Sequence, residues 1–212
     1  FDPSREEVKE MTLEDVIISL KTGLNPRKNF VLNSPGATNH YVTVRELNGM
    51  GITIFDKTDK VDDEGLRLIS NRSKLAEGDV LFSGTGTIGR TALVDSEPTN
   101  WNVKEGVYVI KPNTDVIHPK YLLFYLNSSR AKVDYGNRVV GSPVSSVPMS
   151  ELKRIKINVP SLDEQLEIVN ALDKFYRLAN DMEVGLPAEI NARRKQYEYY
   201  RTKLLTLQEI PA

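Results

Sequence analysis

The chain changes character at Ser161-Leu-Asp-Glu-Gln-Leu-Glu-Ile-Val-Asn-Ala-Leu-Asp-Lys-Phe-Tyr-Arg-Leu-Ala-Asn180. The first four residues of this stretch form a Ser-x-x-Glu capping box directly after Pro160, which marks the start of a helix. No glycine or proline follows between Leu162 and Val184. Apolar side chains recur there with the spacing of one helix face, at Ile168, Leu172, Phe175, Ala179 and Met182. The sequence therefore predicts a long amphipathic helix from residue 161.

A second helix is predicted after Gly185-Leu-Pro187, which interrupts this pattern. It runs from Pro187 to about Leu207, and apolar side chains recur along it at Ile190, Tyr197 and Leu204. Two heptad-like stretches of about 20 residues, each ~30 Å long, favour a coiled-coil spacer. The alternative is two ordinary amphipathic helices that pack on the preceding domain.

Residues 1–160 are typical of a mixed α+β domain, and residues 161–212 of a separate helical region. Short apolar, β-branched runs between turn residues predict strands at Tyr41–Val44, Ile52–Phe55, Asp79–Ser83, Thr91–Asp95, Gly106–Lys111 and Arg154–Val159. Apolar spacing predicts helices at Leu13–Leu20, Asp62–Ile69 and Pro119–Lys132. Strands and helices do not alternate regularly, so a doubly wound sheet is not favoured.

Composition excludes several classes of protein. The 212 residues contain 28 basic and 29 acidic side chains and no cysteine, which excludes disulfide scaffolds and thiolate zinc sites. No apolar run approaches the roughly 20 residues that span a bilayer, and the first residues lack the apolar core of a signal peptide. We expect a cytoplasmic protein that does not enter a membrane. Because the chain begins at Phe1 without an initiator methionine, we also expect a trimmed or excised fragment.

The neutral average hides local charge. Seven acidic side chains oppose two basic ones between residues 162 and 189, whereas five basic side chains oppose one acidic between 190 and 203. Between residues 130 and 156, six basic side chains oppose two acidic ones. The acidic helix within residues 162–189 and the basic helix within residues 190–203 are matched in charge as antiparallel partners, within a chain or between chains. A solvated face is the ordinary explanation of either basic stretch alone.

The motif Gly84-Thr-Gly86-Thr-Ile-Gly89 follows a predicted strand. A dinucleotide-binding fingerprint would have to open a helix, but Arg90 to Asp95 is predicted to be another strand. The sequence therefore predicts a tight glycine loop between two strands. The exposed backbone of such a loop, together with Thr85, Thr87 and Arg90, could approach a phosphate closely.

No catalytic constellation is visible in the sequence. His40 and His118 are far apart, no carboxylate cluster has the spacing of metal ligands, and a methyltransferase Asn/Asp-Pro-Pro-aromatic motif and a Walker A loop are absent. Three polar loops instead combine turn residues, amides and cations, at Lys21–Asn29, Asn100–Lys104 and Arg138–Ser146. Lysine and arginine neutralise phosphates, and asparagine and arginine read base edges. A binding protein is favoured over an enzyme.

Several blocks of the chain resemble, in the same order, the specificity (S) subunit of Type I restriction–modification systems. They are Leu13–Ile17, Lys21–Gly23, Tyr41–Asn48, Gly78–Arg90, Pro119–Leu126, Leu152–Pro160 and Leu162–Gln165. The most specific block is Gly185-Leu-Pro-Ala-Glu-Ile-Asn-Ala-Arg-Arg-Lys-Gln-Tyr-Glu-Tyr-Tyr-Arg-Thr-Lys-Leu-Leu205, which is very similar to the conserved helical spacer of that family. The resemblance extends from about Thr12 to Leu207.

This resemblance implies a non-catalytic subunit that reads double-stranded DNA. In the family, two target recognition domains lie at opposite ends of a helical spacer, which docks modification (methyltransferase) subunits; a restriction subunit joins for cleavage. S-adenosylmethionine is bound by the modification subunit, so no cofactor is expected here. Residues 1–160 would be the recognition domain, and residues 161–212 the spacer. The alternatives are a coiled-coil assembly module that does not read DNA and a nucleotide-dependent enzyme that uses the glycine loop.

The candidate DNA contacts come from four loops, and Arg90 and Lys104 are the residues we favour most. The full set is Lys21, Thr22, Arg27, Lys28, Ser83, Thr85, Thr87, Arg90, Asn100, Asn102, Lys104, Arg138, Ser142 and Ser145.

The chain departs from the family in having one recognition domain and one spacer. A second copy would supply the missing half, and we expect an antiparallel homodimer that reads an interrupted palindrome. The expected interface residues are Ile190, Arg194, Tyr197, Tyr200, Leu204 and Leu207. The alternative is that the chain is one half of a longer subunit.

Overall fold

A computed structural model describes residues 8–27, 29–180 and 187–206, with the backbone alone at 179–180, 187–191 and 206. In these ranges the strands are β1 (Lys9–Thr12), β2 (Ile17–Thr22), β3 (Asn39–Val42), β4 (Lys60–Val61), β5 (Val80–Ser83), β6 (Thr91–Leu93), β7 (Trp101–Val103), β8 (Val107–Pro112) and β9 (Lys156–Val159). The helices are α1 (Asp63–Ser73), α2 (Pro119–Asn127), α3 (Ser129–Gly136), α4 (Met149–Leu152), α5 (Leu162–Asn180) and α6 (Pro187–Thr206). The mixed α+β class is confirmed.

Two sheets bring the ends of several strands together. The larger is antiparallel with the order β2-β8-β5-β6, and the smaller has the order β4-β3-β7, with β3 parallel to β7. Thr22 at the end of β2 pairs with Tyr108 near the start of β8. Leu24, just beyond β2, bridges to Lys104, just beyond β7. The loops that leave β2, β3, β5 and β7 therefore emerge on one side of the domain.

The main core lies around α2, whose residues Tyr121 to Leu126 are all buried. Pro119 occupies the first turn of α2, where its missing N–H costs no hydrogen bond. The hydroxyls of Tyr121 and Tyr125 donate to the carbonyl oxygens of Asn158 and Lys156, each at 2.7 Å. These bonds fix the buried helix against β9, which precedes α5.

Both long helices contact this core. α5 buries Ile168, Val169 and Leu172 against it, and α6 buries Leu205 in the same cluster. Ring contacts join the helices: Phe175 stacks on Tyr200 with centroids 5.1 Å apart, and Tyr176 meets Tyr197 edge-on at 6.2 Å. The two predicted helices are thus present and pack on each other. A coiled-coil spacer stays a prediction, since each helix also buries side chains in the domain.

The structure corrects three predicted elements. Residues Leu13–Leu20 do not form a helix: Glu14–Val16 is a single 3₁₀ turn, and β2 follows because its β-branched residues pair with β8. Pro119–Lys132 is two helices, since the Ser128 hydroxyl accepts the Ala131 N–H and starts a new helix. Ile52–Phe55 is not a strand and makes one bridge, from Ile52 to Leu47.

Sequence reasoning also missed β1, β4 and β7, which exist through pairing with distant strands. No helix in the described ranges is long and apolar enough to cross a membrane.

Candidate nucleic-acid interface

An open cleft of about 890 Å³ lies where the loops after β2, β3, β5 and β7 converge. Its walls carry four cations, which are Arg27, Arg45, Arg72 and Lys104. Hydroxyl and amide groups of Thr22, Asn25, Thr43, Thr85 and Thr87 lie between them. Asp59 and Glu105 are its two carboxylates, so the described lining has an excess of positive charge. We call this feature the cationic cleft.

The carboxylates of the cleft lie beside two of its cations. The guanidinium of Arg45 is 3.2 Å from Asp59, and that of Arg72 is 4.0 Å from Glu105. The side chains of Arg45 and Arg72 are 57% and 48% exposed. Ion pairs exposed to this degree contribute ~0–1 kcal/mol. An anionic ligand can therefore replace the carboxylates at little cost.

A buried carboxylate holds the segment that carries Arg45. Glu46 is 1% exposed and accepts hydrogen bonds from the N–H and the hydroxyl of Thr43, at 2.8 and 2.7 Å. It also accepts one from the Thr58 hydroxyl at 3.1 Å. Thr43 and Glu46 form a capping box around a 3₁₀ turn that contains Arg45. The backbone of Arg45 is thereby fixed at the cleft wall.

The glycine motif forms the turn between β5 and β6, which pair antiparallel. A side chain at Gly84 would place its Cβ 2.1 Å from the ring of Tyr108, so only glycine fits there. Inside the turn, the Ser83 hydroxyl donates to the Thr87 carbonyl at 2.5 Å and accepts the Arg90 N–H at 2.8 Å. The predicted tight loop is confirmed, and the turn presents residues 85–87 to the cleft.

The structure brings five predicted residues together in the cleft: Thr22, Arg27, Thr85, Thr87 and Lys104. Thr22 supports the wall from beneath, because it is buried, donates to the Val107 carbonyl at 3.2 Å and accepts the Gly106 N–H at 3.1 Å.

Sequence reasoning missed two of the four cations of the cleft, Arg45 and Arg72, and its other polar residues Thr43, Asp59 and Glu105. Asn25 lies in a predicted loop but was not itself selected. The Thr43-x-x-Glu46 capping box was a usable signal for Arg45, because such a box fixes the turn in which that arginine lies.

Three predicted contacts serve the fold instead. Asn102 is 2% exposed and bonds to the hydroxyls of Ser70 and Ser73, which tie β7 to α1. Ser83 is fully buried in the glycine turn. Arg138 is held by Asp134 at 2.8 Å and Glu151 at 3.2 Å. The hydrogen bond to Asp134, followed by the one to Glu151, raises the pKa of Arg138.

The remaining predicted contacts have other positions. Lys21 is half-buried in β2, and Lys28 lies outside the described residues. Arg90, Asn100 and Ser142 are exposed but do not appear among the described lining of the cleft. The carbonyl of Ser145 accepts the Gly86 N–H at 2.9 Å, so this residue joins its loop to the glycine turn.

Three of the six expected interface residues in and after α6 contact their own chain. Tyr197 and Tyr200 meet rings of α5, and Leu204 packs partly buried against the core. Arg194 is exposed. The side chain of Ile190 and all of Leu207 lie outside the described part of the chain.

Comparison with known proteins identifies a family and several relatives of this chain. A family model described as "Type I restriction modification DNA specificity domain" matches residues 5–192. A putative type I restriction enzyme specificity subunit of Haemophilus influenzae is 36% identical over 129 residues, which are 61% of this chain and 32% of that protein. The EcoR124I/EcoR124II specificity subunit of Escherichia coli is 40% identical over 87 residues, which are 41% and 22% of the two chains.

Solved structures share the fold at low identity. The S subunit of a type I restriction–modification system from M. genitalium has a TM-score of 0.55 at 15% identity over 99% of this chain and 48% of that one. The HsdS subunit of Thermoanaerobacter tengcongensis has a TM-score of 0.58 at 16% identity over 97% and 47%. The chain spans about a third or less of the length of the Haemophilus influenzae and Escherichia coli subunits. Since the family model covers most of its residues, the chain belongs to the family of Type I restriction modification DNA specificity domains.

Proposed function

We propose that this chain is a non-catalytic, DNA-recognising part of a Type I restriction–modification complex that reads one half of a bipartite target. One observation carries the proposal. Loops that are distant in sequence converge in the cationic cleft, in a chain that belongs to a DNA specificity family. Four cations among hydroxyl and amide groups suit a polyanion that also offers hydrogen-bonding base edges.

The side chains of the cleft divide into two roles. Arg27 and Lys104 are exposed cations and would bind phosphates, which sets affinity and position. Asn25 and Arg45 have the bidentate geometry that reads adenine and guanine edges, and Arg45 lies on a fixed turn. Gly86, with its positive φ of 77°, lets the DNA backbone approach the turn closely.

Family membership supports the assembly that we propose. Residues 1–160 act as the recognition domain and residues 161–212 as the helical spacer, which docks modification (methyltransferase) subunits; a restriction subunit joins for cleavage. S-adenosylmethionine is bound by the modification subunit, and the complex works in the cytoplasm. The contacts of Tyr197 and Tyr200 with α5 favour an antiparallel helix pair as the unit of the spacer. A homodimer would form when a second copy adds its helix pair to this one.

Salt-dependent retention of duplex DNA tests the proposal. The 212-residue chain should bind duplex DNA with an affinity that falls steeply with salt. The salt slope is the slope of the logarithm of the binding constant against the logarithm of the salt concentration. Its magnitude should fall by about two in a variant with both Arg27→Ala and Lys104→Ala, because each phosphate contact contributes about one. Arg67→Ala is the matched control, since Arg67 is 60% exposed on α1 and pairs with Glu64. Equal slopes for the double variant and the unmodified chain would contradict the proposal.

A further inference from the structure

A small loop beside the glycine turn has a fixed shape. Val140 and Ser146 exchange two backbone hydrogen bonds, each 2.8 Å long, which close the loop between them. Inside it, Gly141 has a φ of +98°, and a Cβ there would lie 2.6 Å from the Val144 carbonyl oxygen. Both the left-handed backbone and the close approach require glycine. Two backbone hydrogen bonds and the glycine at position 141 therefore fix the conformation of residues 140–146.

The loop is also joined to the glycine turn that lines the cationic cleft. The Gly86 N–H donates to the Ser145 carbonyl, and the Val147 N–H donates to the Gly84 carbonyl, each at 2.9 Å. Thr85 and Ser146 form a bridge between the same segments. The position of the loop relative to the cleft is thus set by backbone contacts at residues 145–147, directly after Val144.

The loop places an apolar side chain in a charged site. Val144 is 59% exposed and lines the cationic cleft together with Thr85, Thr87 and Lys104. Its methyl groups cannot bind a phosphate or read a hydrogen-bonding edge. Within the major groove of DNA, the apolar group that a base presents is the C5-methyl of thymine. A rigid valine in a cleft of this charge is complementary to that methyl group.

We propose that Val144 contacts the C5-methyl group of a thymine in the DNA bound by the cationic cleft, and thereby specifies a T·A pair at one position. The inference rests on the proposed function and adds to it a residue that determines specificity. The cations of the cleft favour DNA over a protein as the partner of this valine. Because the loop is already fixed, the contact is made without ordering the chain.

Uracil substitution tests the contact. Duplexes with a randomised centre are selected for binding to the 212-residue chain, and each selected thymine is then replaced by uracil, which removes only the methyl group. At one position the replacement should weaken binding about fourfold, the ratio expected for burial of one methyl group. Val144→Ala should weaken binding to the thymine duplex and abolish the difference between thymine and uracil. Val133→Ala is the matched control, since Val133 is 64% exposed on α3.

The outcomes separate the two proposals. If duplexes are retained with sequence preference but uracil has no effect, or has the same effect in Val144→Ala, the inference is wrong and DNA recognition stands. If Val144→Ala weakens binding of a modification subunit and leaves DNA binding unchanged, the loop contacts protein and the inference is likewise wrong. If the chain retains no duplex at any salt concentration, the proposed function fails and the inference fails with it.

Discussion

At the cationic cleft, Arg45 and Arg72 are about half exposed and lie 3.2 and 4.0 Å from the carboxylates of Asp59 and Glu105. Where α2 meets α5, a region we call the helical junction, Gln165 is fully buried and makes three hydrogen bonds. Its amide donates to the carbonyls of Val116 and Pro160 at 3.0 and 2.9 Å, and its oxygen accepts the His118 N–H at 2.8 Å.

The cleft is suited to bind a ligand, whereas the helical junction is suited to stabilise the fold. Exposed ion pairs cost little to break, so the cations of the cleft are available to a ligand. Buried hydrogen bonds cost ~1–3 kcal/mol for each group left without a partner, so the junction has a single arrangement. The domain thus holds the start of α5 through buried hydrogen bonds at the junction and keeps exchangeable charge at the cleft. Changes at the junction should alter stability, and changes at the cleft should alter binding.

The largest effect is expected from Leu172→Ala at the helical junction. Leu172 is fully buried in the main core, and its truncation leaves a cavity between α5 and the domain. The free energy of unfolding should fall by ~2–5 kcal/mol, as for comparable core leucines. Urea unfolding measures this, with Leu178→Ala, 53% exposed on the same helix, as the control. Equal losses for the two variants would contradict the packing of α5 on the core.

Glu46→Gln should have the next largest effect. We expect it to alter both stability and DNA binding, because Glu46 is the buried group that fixes the turn of Arg45. An amide cannot accept all three hydrogen bonds that the carboxylate accepts, and its N–H₂ faces donors. We expect the free energy of unfolding to fall by ~1–3 kcal/mol. We also expect weaker DNA binding, since the turn that carries Arg45 loosens. Glu64→Gln is the control, with a side chain 61% exposed on α1. Unchanged stability would show that the carboxylate does not fix the turn.

A smaller effect on stability is expected when the pH falls and His118, the residue directly before α2, takes up a proton. Its Nδ1 accepts the Lys120 N–H at 3.2 Å. Burial lowers the pKa of His118 below 6.5, Lys120 lowers it further, and Asp173 opposes the shift. The unfolded chain therefore binds this proton more readily than the folded chain, so the contribution to stability is present above pH 6.5 and is lost as pH falls below it.

His118→Asn tests this dependence, because asparagine keeps an acceptor at the helix start and does not titrate. Urea unfolding between neutral and mildly acidic pH should show a shallower loss of stability for the variant than for the unmodified chain. Parallel pH profiles would mean that His118 contributes nothing to the acid sensitivity of the junction.

The smallest effect on stability is expected from Glu105→Gln in the cleft. Because Glu105 is 46% exposed and 4.0 Å from Arg72, its removal should change the free energy of unfolding by under ~0.5 kcal/mol. Binding of duplex DNA at low salt should become tighter, since a negative charge leaves the site. Glu97→Gln, at an exposed position outside the described cleft lining, should leave binding unchanged. Weaker binding by Glu105→Gln would place the DNA elsewhere.

Local signals explain what the sequence could predict. The capping box at Ser161 and the proline at the first turn of α2 mark helix starts through interactions within a few residues, and both helices begin where expected. The glycine turn was predictable because strand residues flank it on both sides. β2 was read as a helix because its pairing with β8 connects residues about 90 positions apart, which no local spacing reveals.

The cleft was predictable only in part for the same reason. Polar loops were visible in the sequence, and all four of the segments chosen contribute residues to the cleft. Arg45 and Arg72 join them because β3 pairs with β7 and α1 packs on β7, contacts that are distant in sequence. Asn102 was misassigned because it lies in a strand, where its side chain turns inward to Ser70 and Ser73.

Photocrosslinking tests most directly whether DNA lies in the cationic cleft. A benzophenone side chain is placed at Thr87, an exposed residue of the cleft, and in a second variant at Lys132, an exposed residue of α3. Each variant of the 212-residue chain is irradiated with labelled duplex DNA at low salt. Our account predicts a crosslink from position 87 that excess salt abolishes, and none above background from position 132. A crosslink from position 132 in the absence of one from position 87 would contradict it.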